Sequence, residues 1–309
     1  MREQFDLSSD PLARRVVRYA DLRPCLNAFI DSRSPRSSAK ENFTIIGPGV
    51  SENPNQHVHI AVPHGFNIGG ARQPPGCVNS QHSHDTAEVF VVHTGRWRFD
   101  LGEHGDDARV ECGPGDVIAL PTGTFRGFTN IGDDTGFLWA VLGKDDPGRV
   151  LWAPRVFDLA ADHGLVLLDS GRLIDTAAGE AVPADAMPMS RTTPTQVAAL
   201  RRYTDAEAAA LVARDHAGHG ERGIIAADGP LPGEHGLTLH RLDLAAGESA
   251  TLATPGSCVV FVHRGIVAAA GARDRTTLAA GDTMSLSAAA WQVTSDTGAT
   301  AFVVRGTPS

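Results

Sequence analysis

The 309-residue sequence predicts an all-β protein made of two similar barrels. Short runs rich in Val, Ile, Phe and Trp alternate with Gly, Pro, Asp and Asn turns from about residue 44 to 143, and the pattern returns beyond Ile224. The two regions also share a motif. Glu88-Val-Phe-Val-Val-His-Thr-Gly95 matches Cys258-Val-Val-Phe-Val-His-Arg-Gly265. Gly115-Asp116 matches Gly281-Asp282, and Gly132 and Gly298 stand at the same offset from them. The spacing between copies far exceeds the roughly 20–50 residues of solenoid repeats, so it marks a duplicated domain.

In chain order, Asp10-Pro11 opens a short predicted helix to about Tyr19, with Asp as N-cap and Pro at the first helical position. Strands are expected at 57–62, 88–92, 97–101, 117–120, 125–129 and 137–142. A helix over 154–163 should stop at Gly164, a residue suited to the left-handed position after a helix. Residues 175–191 read as a polar linker. Thr193-Pro-Thr-Gln196 and Thr204-Asp-Ala-Glu207 are capping boxes that should start two short helices. Strands resume at 237–244, 258–263, 283–286 and 301–304. The expected division is an N-terminal extension (1–43), a first barrel (44–150), a partly helical linker (151–222) and a second barrel (223–309).

Composition excludes several roles. A formal charge of −9 argues against a nucleic-acid binder. Lysine is confined to Lys40 and Lys144, which reads as compositional bias. No apolar run approaches the ~18 residues of a membrane span, and the N-terminus has no apolar signal core, so a cytoplasmic protein is expected. Cys25, Cys77, Cys112 and Cys258 have neither zinc-finger nor CxxC spacing, which points to a reducing compartment. Gly218-His-Gly-Glu-Arg-Gly223 matches GxGxxG but comes after a helix and precedes Ile224-Ile225, so it reads as a loop.

The strongest chemical signal is Gly76-x5-His82-x-His84-x3-Glu88-x6-Gly95. In an extended segment His82 and His84 share a face, and Glu88 joins them after a turn. Two imidazoles and one carboxylate leave coordination positions open and suit Fe(II), Mn or Ni better than a closed structural zinc site. This spacing resembles the first motif of the cupin superfamily. Gly115-x5-Pro121-x-Gly123-x2-Arg126-x3-Asn130 resembles the second, except that Arg126 stands where the family has a metal-binding His. With the duplication, the chain resembles a bicupin: two double-stranded β-helix (jelly-roll) barrels.

The resemblance implies that His82, His84 and Glu88 bind a divalent transition metal, with Fe(II) expected and Mn, Ni or Zn as alternatives. Arg126 cannot coordinate a cation, because its guanidinium has no acceptor. It either binds an anionic substrate group through its planar fork or pairs with Glu88 and closes the site. The second barrel has Ala253, Pro255, Cys258 and Gln292 at the corresponding places, so its site is degenerate and its role structural, or that of a dimerisation or lid element. This arrangement resembles bicupin ring-cleaving dioxygenases, in which one barrel keeps the chemistry.

The expected function is a metal-dependent enzyme, an Fe(II) dioxygenase acting on a small anionic, oxygenated or aromatic metabolite together with O2. Glu88 and Arg126 are the expected catalytic residues, and Arg126, Gln81, Phe90 and Phe128 the expected substrate contacts. Val92 is expected beside Phe90 and Phe128, and Asn79 beside Gln81. The alternatives are a non-redox metal-dependent isomerase, lyase or decarboxylase, and a metal-free binding or regulatory cupin. A homodimer is expected, since such barrels leave exposed strand edges. His57 and His59 share a face and read as surface histidines, His93 should face away from the barrel interior, and Cys77 reads as an inert thiol.

Overall fold

Alternation along the strand Glu88–Thr94 sets the architecture. Phe90 and Val92 enter an apolar cluster with Phe99, Leu101 and Phe128, inside the first barrel. Val89 and Val91 enter a different cluster with Phe137, Trp139, Phe261 and Phe302, which joins the two barrels. A strand buried on both faces needs apolar residues at every position, which is why this stretch reads as a continuous hydrophobic run.

The computed structural model describes residues 11–231, 235–253, 256–286 and 290–306. The first barrel is a jelly roll of two facing sheets. A seven-stranded sheet runs Val212–Ala213, Val117–Leu120, Glu88–Thr94, Gly136–Gly143, Phe66–Gln73, Glu41–Ile46, Val58–Ile60. A five-stranded sheet runs Val150–Trp152, Val78–His84, Arg126–Asn130, Trp97–Leu101, Ala108–Cys112. The second barrel is built around the 13-residue strand Cys258–Ala270, which pairs with Thr283–Leu286, Ala299–Gly306, Arg275–Ala279 and Trp291–Ser295. Its interior is closed by apolar packing of Leu242, Val260, Val267, Met284, Trp291 and Val303. Between the barrels Trp139 stacks on Phe261 at 4.8 Å and donates to Thr283 Oγ1 at 3.1 Å.

The duplication extends to single hydrogen bonds. Gly115 N donates to Val92 O and Val92 N to Asp116 O; Gly281 N donates to Val262 O and Val262 N to Asp282 O. The segments that precede the barrels are exchanged. Val16–Val17 adds a strand to the second barrel (Val16 opposite Met284), and Val212–Ala213 adds one to the first (Val212 opposite Ile118). Each exchanged arm clasps the partner barrel's Gly-Asp turn. Arg18 Nη1 and Tyr19 N donate to Asp282 at 2.7 and 3.0 Å, and Arg214 Nη1 and Asp215 N donate to Asp116 at 2.9 and 2.7 Å. Both turn glycines have φ near +90°, and a Cβ on either would strike the arm: Asp215 in the case of Gly115, Tyr19 in that of Gly281.

This exchange corrects the expected N-terminal helix. Asp10 lies outside the described residues. From Leu12 the chain makes a single 3-10 turn, Leu12–Arg14, and then enters the Val16–Val17 strand. Strand pairing with Thr283 and Met284 outweighs the local helix-start signal, and the β-branched valines favour it. The stretch expected as a glycine loop is strand from Gly220 onward, paired with Leu237–Leu244. Phe66–Gln73 gave no strand signal because Gly69 and Gly70 interrupt it. A Cβ on Gly70 would lie 2.7 Å from the Phe137 ring, so packing requires the glycine there. The helix Pro154–Asp162 ends before Gly164 at φ +78°, and both capping boxes form, on Pro194–Ala198 and Asp205–Ala209.

Candidate metal centre

His82 and His84 lie on Val78–His84 in one sheet, and Glu88 opens Glu88–Thr94 in the facing sheet. A short turn carries the chain between them, which is how three residues close in sequence come to bridge the barrel. Their ligand atoms all lie within 4.8 Å of one another, and all three side chains are buried. Among the described residues no other group of three such side chains is close enough to hold an ion. Pro255, one of the residues matched to this site in the second barrel, lies outside the described residues; Cys258 is a buried thiol of that barrel's core.

The histidines are poised as neutral ligands. Burial, reinforced by the Arg126 charge, holds both imidazoles well below their ordinary pKa. His82 Nδ1 donates to Ser80 O at 2.7 Å; a carbonyl only accepts, so Nε2 keeps its lone pair. The His82 ring is braced by Trp152 at 5.2 Å. Trp152 Nε1 in turn donates to Glu52 Oε1 at 2.6 Å, and burial pushes that fully enclosed carboxyl up to about 8. His84 Nδ1 is buried without a hydrogen-bond partner, and Nε2 stops 3.6 Å short of Glu88 Oε2. A cation among the three would satisfy lone pairs that nothing else meets, so the donor set fits a divalent transition ion.

Of the two courses open to Arg126, the structure has the pairing with Glu88. It lies opposite His82 in the strand register, its guanidinium is ion-paired with Glu88 Oε2, and Nη1 reaches the carbonyls of His82 and Thr124 at 3.4 and 3.3 Å. It is 1% exposed and does not line the cavity. The reason is electrostatic: burial raises the Glu88 pKa, Arg126 opposes that rise, and two buried opposite charges in contact satisfy each other.

A cavity of about 70 Å³ opens beside the triad. Phe90 and Phe128 line it as expected, whereas Val92 lies deeper in the core. Gln81 does not line it: its Nε2 donates to Asp100 O at 2.8 Å, and its Oε1 accepts from Arg155 at 3.4 Å. Asn79 does line it, although simple alternation would put it with Gln81. A register shift explains the split, since Arg126 faces His82 but Phe128 faces Asn79, so one extra residue on the histidine strand flips the pattern. Sequence pattern missed the contributions made ahead of the histidine strand. Phe29, Val50 and Gln56 also line the cavity, and a run without strand periodicity gave no signal for them.

The other histidines stand apart. The His57 and His59 rings contact each other at 4.5 Å, outside the cavity. His93 faces out of the first barrel and meets His263 of the second, Nδ1 to Nδ1 at 3.4 Å. Cys77 is buried, and burial raises its thiol pKa.

Two facing sheets, the paired glycine turns and an inward His-His-Glu group that could hold a metal ion define the first barrel as a jelly roll with a candidate metal centre. Residues 71–142 match the cupin domain family, so the first barrel is a cupin domain and the chain has a bicupin fold with one ligand set among the described residues. No curated protein sequence matches the chain. Among solved structures, it is similar to an oxalate decarboxylase from Lactobacillus farciminis in complex with formate (TM-score 0.57, 10% identity, 96% of this chain and 86% of that one). It is also similar to a bacterial pirin from Escherichia coli in complex with nickel(II) (0.55, 10%, 95% and 99%). A third is a salicylate 1,2-dioxygenase from Pseudaminobacter salicylatoxidans (0.54, 16%, 98% and 87%). At these identities the likeness is one of fold. No described helix is long and apolar enough to cross a membrane.

Proposed function

We propose that the chain is a metal-dependent cupin enzyme of the dioxygenase type, acting on a small anionic oxygenated or aromatic metabolite, with Fe(II) as its metal. The observation that carries this reading is the His82, His84 and Glu88 cluster opening on a small cavity. His82 and His84 hold the ion as neutral imidazoles and Glu88 as a carboxylate. When bound, such an ion supplies Lewis acidity and open coordination positions for oxygen ligands. Arg126 opposes the rise that burial gives the Glu88 pKa. Phe90 and Phe128 exclude water and confine the substrate. In this reading residues 44–150 form the catalytic barrel and 223–309 its structural partner.

The similar structures that act on oxalate and salicylate, both small carboxylates, favour the same substrate class. The test is oxygen uptake. Protein purified without a His-tag and loaded anaerobically with Fe(II) should consume O2 in step with substrate. Turnover unchanged without O2 would move the reaction to a non-redox isomerase, lyase or decarboxylase. The Arg126–Glu88 pair favours a second reading, a metal-free binding cupin. Substoichiometric uptake of Fe, Mn, Ni and Zn alike, with small-molecule binding retained in His82→Ala, would select it.

A further inference from the structure

The cavity wall carries amide donors with nothing to donate to. Asn42 Nδ2 and Gln56 Nε2 belong to residues that line the cavity, and both atoms are buried without a hydrogen-bond partner. Asn42 is 7% exposed as a residue. Buried polar groups in folded proteins are almost always satisfied, so two such donors at one cavity point to a missing acceptor.

A third amide is oriented by its neighbour. Asn79 Oδ1 accepts from Lys40 Nζ at 2.9 Å. An ammonium has three donors and no acceptor, so the oxygen of Asn79 must face it and the NH2 is left for the cavity that Asn79 lines. Lys40 is itself fixed. It is fully buried and ion-paired with Asp31, whose second oxygen accepts Ser80 N at 3.0 Å. Asp31 thus ties the N-terminal extension to the strand that carries the histidines. Asn42 and Asn79 come from the two facing sheets, so the donors approach the cavity from both sides.

We infer that Asn42, Gln56 and Asn79 form a neutral subsite that recognises the oxygens of a small carboxylate, with the Asp31–Lys40 pair positioning Asn79. The inference deepens the proposed function and rests on it only for the substrate's place beside the triad. It assigns recognition to these amides, oriented in part by the extension, in place of the Arg126 side chain that Glu88 occupies.

The probes are benzoate and pyruvate, titrated calorimetrically into the full chain with and without metal. Wild-type protein should bind at least one of them. Asn79→Asp is the sharpest variant: it is isosteric, still accepts from Lys40, and replaces the cavity-facing donor with an acceptor. It and Gln56→Leu should each weaken carboxylate binding about tenfold or more, as loss of a built polar contact does, while metal content and thermal midpoint stay at wild-type values. Wild-type-like binding in both variants, or no binding of either probe to wild type at millimolar concentration, overturns the subsite. Amide-dependent carboxylate binding by protein that takes up no metal would sink the metal reading and leave the subsite standing. Normal metal loading with amide-independent binding would do the reverse.

Discussion

Arg126 is ion-paired with Glu88 in the interior of the first barrel, at the register position directly opposite His82. The pair makes the site electrically neutral where a histidine in the same place would have added a fourth ligand without a charge. A divalent cation entering the group must therefore share Glu88 with a guanidinium.

Removing the Arg126 charge should tighten metal binding. Arg126→Gln keeps a side-chain donor for Glu88 and takes away the cation. At an effective dielectric near 20, unit charges a few ångströms apart repel by a few kcal/mol, and part of that returns as affinity. Chelator-competition titration should give a dissociation constant for Fe(II) or Ni(II) lower by about tenfold, a change of about 1.4 kcal/mol. An unchanged or weaker constant would mean that Arg126 supports the metal form.

His84→Ala should abolish metal retention with little loss of folding. Its Nδ1 has no hydrogen-bond partner to lose. Elemental analysis after desalting should find no bound metal. The thermal midpoint of the metal-free variant should fall by no more than a few degrees, the loss expected of a small buried cavity.

Acid should loosen the joint between barrels. Burial holds His93 at about 4, and burial together with the neighbouring His93 holds His263 at about 3. Rings of Tyr19, Phe137, Phe261 and Phe302 enclose the two imidazoles. An unfolded histidine takes a proton near 6.5, whereas the folded pair refuses it until pH 4 or below. Below pH 6.5 the unfolded chain therefore binds more protons, and the stability present above 6.5 is lost as pH falls. The slope is about 1.4 kcal/mol per pH unit for each imidazole. Urea midpoints between pH 7 and about 4.5 should fall in wild type and fall less steeply in the His93→Leu, His263→Leu double variant, where the other buried histidines such as His82 and His84 still contribute.

The exchanged arms should matter equally. Asp116→Ala and Asp282→Ala each remove a buried carboxylate that accepts from two backbone N–H groups and an arginine of the arm. Each loss should cost about 2–4 kcal/mol by denaturant unfolding. A loss at one turn alone would show that one arm is dispensable.

Much of the fold was legible in the chain. Val117–Leu120, Trp97–Leu101, Leu237–Leu244 and Thr283–Leu286 fall where the β-branched and aromatic runs place them. The spacing of His82, His84 and Glu88 carried the candidate centre, because strand alternation and one turn are local geometry. Phe66–Gln73 was illegible, since the Phe137 ring across the sheet dictates a glycine at position 70. Asn79 lines the cavity and Gln81 does not, a split that residue type could not show because a single-residue register shift inverts which face each presents.

The sequence by itself determined the all-β class, the duplication and the candidate His82, His84 and Glu88 group, all of which rest on residue type and on spacing within short segments. Only the tertiary structure decided where Arg126 spends its charge, which arm completes which barrel, and which amides reach the cavity. Those depend on contacts between residues far apart in the chain, such as Arg126 with Glu88, Arg18 with Asp282 and Lys40 with Asn79, and local pattern carries no information about such pairs. The buried polar groups found their partners only when the two sheets and the extension closed around them.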